Sequence, residues 1–96
     1  MPALAASPED VTRLEGLLHQ GGHNHLTVRR RGPLLTIVSG PADDPWPRAR
    51  LRRVGQQHWQ LEVATHTGRW EPTPMRGSLD ELVELLISAF GWVLEP

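Results

Sequence analysis

The chain has no cysteine, no lysine and no tyrosine, and a single phenylalanine. Without cysteine there is no disulfide framework, no thiolate metal site and no cysteine nucleophile. Small secreted domains usually depend on such staples, so a reducing, cytoplasmic setting is expected. Without lysine, a P-loop, a Schiff-base enzyme and a nuclease that needs a catalytic lysine are excluded. The missing tyrosine removes one more acid–base group. Long apolar runs are also lacking. Leu85-Leu86-Ile87 falls far short of the roughly 20 residues a membrane helix needs. Met1 to Ala6 lacks the basic region and apolar core of a signal peptide. The expectation is a soluble protein with no membrane partner.

What is present reads as one small globular domain. The 96 residues are 39% hydrophobic and 22% charged, an ordinary balance that argues against wholesale disorder. One domain over residues 1–96 is expected, with residues 1–6 as a disordered tail. A chain this short buries only about two-thirds of its unfolded surface, so a homodimer is expected to complete its burial. All ten basic residues are arginine, and the net charge of −1 hides an uneven distribution. Residues 26–76 carry +5, whereas the flanking segments carry −2 and −4. The middle is basic and the ends are acidic.

Helical signals open the chain. Ser7, Pro8, Glu9 and Asp10 supply a cap, a first-turn proline and two acids at the positive end of a helix dipole. Val11, Leu14, Leu17 and Leu18 follow at helical spacing, and Gly21-Gly22 ends the run. Gly16 either weakens this helix or admits a close neighbour. From Leu26 the period becomes two, predicting strands over Leu26–Arg31, Leu34–Val38, Arg48–Val54 and His58–Thr65. Gly32-Pro33 and Gly55-Gln56-Gln57 are the hairpin turns, and Thr67-Gly68 leads into a short fifth strand, Arg69–Glu71. The three prolines of Pro41–Pro47 are expected to prevent ladder pairing there, and Thr73 with two prolines to lead out of the sheet. Ser78-Leu79-Asp80-Glu81 is a capping box before the apolar stripe Leu79, Leu82, Val83, Leu86 and Phe90. Gly91 then caps that helix, and Trp92 turns back toward the core. The pattern predicts an α+β domain, α-β-β-β-β-(β)-α, with an antiparallel meander and both helices packed on one face.

Strand parity turns this fold into a site. Leu26, Val28, Leu35, Ile37, Leu51, Trp59, Leu61 and Val63 must face the helices, which directs Arg29, Arg31, Arg48, Arg50 and Arg52 to the open face. Glu62 alone is there to neutralise them. Planar guanidinium forks suit phosphates or acidic side chains. The bland alternative is a solvated face that guards the sheet. A nucleic-acid partner is disfavoured by the net charge of −1 and by the lack of an aromatic on that face. Trp46 and Trp70 stand beside prolines, either stapling their segments to the sheet or anchoring a partner.

The remaining constellations are weaker. His19, His23 and His25 cluster, but a glycine-rich loop at this spacing matches no established zinc motif, so no metal is expected. Asp43-Asp44 is explained by turn formation. Ser7 and Ser78 serve as caps, and Ser39 lacks the glycine of a nucleophile elbow. No cofactor is expected. The reading is a non-enzymatic interaction module, adaptor-, chaperone- or inhibitor/immunity-like. It would bind an acidic protein partner through Arg29, Arg31, Arg48, Arg50 and Arg52, with Trp46 or Trp70 as anchor. The alternative is a nucleic-acid module using the same arginines on phosphates. A metal-dependent enzyme built on the histidine loop comes third.

Overall fold

Ser7 opens the first helix, α1 (Pro8–Gln20), with a reciprocal cap: its side chain accepts from the Asp10 amide while Asp10 Oδ2 accepts from the Ser7 amide at 2.9 Å. The computed structural model describes residues 5–65 and 69–89. Five strands follow, β1 (Thr27–Arg31), β2 (Leu34–Ser39), β3 (Trp46–Gly55), β4 (His58–Ala64) and β5 (Trp70–Gly77), and then α2 (Leu79–Ala89). The sheet order is β1-β2-β3-β4-β5, every neighbour antiparallel. This is the α+β meander that the alternation implied, with two helices and one core. Phe90, Gly91, Trp92 and the Thr67-Gly68 turn lie outside the described residues.

The apolar stripes meet where periodicity places them. Leu14 and Leu18 from α1 and Leu79, Leu82, Val83 and Leu86 from α2 form one cluster with Val28, Leu35, Ile37, Ala49, Leu51, Trp59 and Leu61. Burying a leucine or isoleucine side chain is worth about 1.5–3 kcal/mol, so this single layer supplies most of the driving force. Gly32 begins the two-residue β1–β2 turn at φ 56°, a conformation open to glycine and strained for other residues. The carboxylate of Glu15 reaches the Val28 amide at 2.7 Å, capping a donor of edge strand β1 from the helix above.

Three expectations are corrected. The prolines of 41–47 do not keep that segment wholly out of the ladder. Trp46 and Pro47 pair with Ser39 and Val38, across a bulge at Ile37/Val38 that accommodates the proline. Strand β5 does not stop at Glu71. It continues through Pro72, Thr73 and Pro74 to Gly77, because an edge strand can forgo the donors proline lacks. The Thr73 hydroxyl bridges the irregularity, donating to Leu61 O at 2.9 Å and accepting from the Met75 amide at 3.1 Å. Finally, the presumed tail is held at its inner end. Ala6 is buried, and its amide donates to Gly32 O at 2.8 Å.

Candidate functional site

The open face is ordered by register. Residues directly opposite one another in an antiparallel pair share a side of the sheet. One row across the strands reads Arg29, Thr36, Arg50, Glu62, Pro72, and the next reads Arg31, Leu34, Arg52, Gln60, Arg76. The face therefore carries five arginines against Glu62 alone among the described residues. Arg76 was missed by sequence reasoning, because the prolines before it read as an exit from the sheet. The signal that could have found it is the tolerance of edge strands for proline.

The centre of this face is a clamp built on Glu62. Its side chain is 9% exposed, and Arg50 Nε donates to Oε1 while Arg52 Nε donates to Oε2 at 3.3 Å. A carboxylate so enclosed must be paired, and two charge-assisted bonds satisfy it. The Arg50 guanidinium also lies over the Trp70 ring, 4.5 Å from its centroid. The Arg50 side chain is thereby only 19% exposed, so it is less free than parity alone implied. An aromatic does stand on the open face, contrary to expectation, and it is Trp70.

Arg48 stands apart. The bulge makes it the unpaired residue between Pro47 and Ala49, so alternation no longer fixes its side. Its Nε donates to Ser39 Oγ at 2.9 Å, and its head lies 5.4 Å from the centroid of the Trp46 ring. Trp46 itself is 69% exposed, the most open large apolar side chain described. Arg48 and Trp46 thus form a second pair at the loop end of β3.

A common arrangement links Arg48, Arg50 and Arg52. Each is fixed by the protein through Nε, and among the described residues their terminal nitrogens have no hydrogen-bond partner. The outer edge of each fork is left as an unused pair of donors, more open on Arg52, 39% exposed, than on Arg50, 19% exposed. The other expected arginines differ. Arg29 donates to Ala42 O at 2.7 Å, tying the proline-rich loop to the sheet, and Arg31 is exposed at the β1–β2 turn. Arg53 turns to the helix side, over Trp59 and onto Ala5 O at 2.9 Å, where it anchors the N-terminal segment.

The helix side offers less. A depression of about 350 Å³ is lined by Arg13, Arg53, Gln56, Gln57 and Asp80. Its charges are already matched, Arg13 to Asp80 at 2.5 Å and Arg53 to Asp10 at 3.8 Å. His19 Nε2 lies 2.9 Å from Leu26 O, and His23 meets His25 edge-on. Among the described residues no three histidine or carboxylate side chains converge as metal ligands. Asp43 and Asp44 are exposed in a turn whose Asp44 amide donates to Pro41 O at 3.1 Å. The Glu81 carboxyl is held below its usual value, first by the Ser78 amide and then by the Ser78 hydroxyl. No described helix is long and apolar enough to cross a membrane.

No family model, curated protein or solved structure matches this chain.

Proposed function

We propose that this chain is a non-catalytic recognition module that binds an acidic protein surface through the open face of its sheet. The observation that carries the reading is the set of Nε-anchored arginines, whose terminal nitrogens have no hydrogen-bond partner among the described residues. Anchoring lowers the rotamer entropy lost on binding, which is where a flexible arginine spends most of its affinity. Arg29, Arg31, Arg50, Arg52 and Arg76 supply the charge, and Trp70 and the exposed Trp46 supply apolar contact of the kind that dominates interface hot spots. Both sheet edges are poorly suited to strand addition: Glu15 caps β1, and two prolines interrupt β5. A partner is therefore expected on the face.

Single-stranded nucleic acid is the second reading, favoured by the Trp70 ring beside the arginines. Against it stands the exposed acidic pair Asp43-Asp44 in the β2–β3 loop, a loop tied to the face by the Arg29 bond to Ala42 O, which opposes a long polyanion. The test is affinity capture from the native host with the wild type and with Arg31→Gln/Arg52→Gln/Arg76→Gln. A protein retained by the first and lost by the second, and released by added salt, supports the reading. Equal capture by both sinks it, and nuclease-sensitive capture transfers the site to nucleic acid.

A further inference from the structure

We propose that Arg50, Arg52 and Arg76 form a subsite for a dianionic phosphate group, and that the acidic partner is held there by a phosphorylated serine or threonine. This rests on the reading of the open face as the binding surface and names the group at its centre. Three observations lead to it. Arg50 and Arg52 both reach the Glu62 carboxylate, so their guanidinium heads converge instead of spreading over the sheet. With Nε engaged, the two terminal nitrogens of each head have no partner among the described residues, and a guanidinium edge left in this way can meet two oxygens of one oxyanion. Arg76 lies in the same row as Arg52, across Gln60, about 10 Å away at the Cα level and within reach of an extended arginine side chain.

Charge selects the ligand. The three arginines and Glu62 leave a surplus of two positive charges, which a phosphomonoester near neutral pH can match and a single carboxylate cannot. The Trp70 ring holds the Arg50 plane from one side, limiting its rotation before any ligand arrives. The Gln60 amide cannot swing to compete as an acceptor freely, since its nitrogen donates to Thr73 O at 3.0 Å. A phosphodiester chain is a poorer fit. Each of its phosphates carries one charge, and a continuation toward the β2–β3 loop would meet the exposed Asp43-Asp44.

The experiment uses the full chain and three probes: a short neutral peptide bearing phosphoserine, the same peptide with glutamate there, and a single-stranded oligonucleotide. Binding is followed by titration calorimetry and by the arginine Nε–H signals in nitrogen-15 spectra. The phosphopeptide should bind about tenfold or more tighter than the glutamate peptide, and shift the Arg50 and Arg52 signals. Its affinity should fall as pH drops from 7.5 to 5, because the phosphate then loses its second charge near pH 6. Arg52→Gln and Arg76→Gln should each weaken it about tenfold with the thermal midpoint little changed. Equal affinity for the phosphoserine and glutamate peptides overturns the phosphate subsite, as does a preference for the oligonucleotide. If the phosphopeptide fails while the captured host partner is still lost from the triple arginine variant, only the subsite falls. If that capture is also unaffected, the reading of the whole face falls with it.

Discussion

At the scale of single residues, Glu62 organises the open face more than any arginine does. It lies on β4 opposite Arg50 and is almost fully enclosed by the two guanidinium groups it receives. Removing one partner of an enclosed pair leaves uncompensated charge, costing 3–5 kcal/mol in fully buried cases. Arg52 is 39% exposed, so water screens part of this and about 1–3 kcal/mol is expected for Glu62→Gln. Arg52→Gln should cost no more than about 0.5 kcal/mol, as at other exposed positions. Urea midpoints of the two variants decide the matter, and equal losses would deny Glu62 its organising role.

Ser78 provides a second residue-scale test. The Glu81 carboxyl is depressed by the Ser78 amide first and by its hydroxyl second. A depressed carboxyl contributes stability above its unfolded-state pKa and loses it as pH falls through the folded-state value. In Ser78→Ala the Glu81 titration midpoint should rise toward the ordinary value, and the acid limb of the stability curve should shorten. Carbon-13 titration of the glutamate carboxyls reads this directly. A midpoint that does not move would assign the depression to the backbone amide alone.

At the scale of elements, helix α1 carries an unneeded weakness. Gly16 is exposed, and a Cβ there would meet nothing within 4 Å among the described residues. Of the two reasons the sequence allows for a mid-helix glycine, close approach by any described residue is therefore excluded and the entropic cost remains. Gly16→Ala should stabilise the protein by about 0.5–1 kcal/mol, raising the thermal midpoint. A lower midpoint would mean that the helix surface there is occupied. Strand β3 shows the opposite case, where a rule read too strictly misled. Proline lacks a donor, yet a bulge lets Pro47 sit opposite Val38 and brings Trp46 beside Arg48.

At the scale of the whole molecule, charge is segregated by the layers. The helices carry Glu9, Asp10, Glu15, Asp80, Glu81 and Glu84, while the open face carries five of the ten arginines. A net charge of −1 therefore says little about what either face attracts. Sedimentation at high micromolar concentration tests the expected homodimer, and a single 10.8 kDa species overturns it. Two arginine faces repel each other and the edges are blunted, so any dimer should use the helix layer. Its mass should then be unchanged by Arg31→Gln/Arg52→Gln/Arg76→Gln.

The sequence by itself determined the N-terminal caps of both helices, the order of elements and the helix-facing set, because capping and two- or 3.6-residue periodicity act within a few residues. Ser7, Ser78, Leu51 and Leu61 all stand where those local rules put them. Parity likewise directed Arg50 and Arg52 to the open face. Tertiary structure decided what parity cannot reach: the bulge that releases Arg48 from alternation, the pairing of β5 that brings Arg76 into the Arg52 row, and the enclosure of Glu62 beneath two guanidinium groups. These depend on register between strands distant in sequence, and register is fixed by packing of the whole sheet rather than by any one segment.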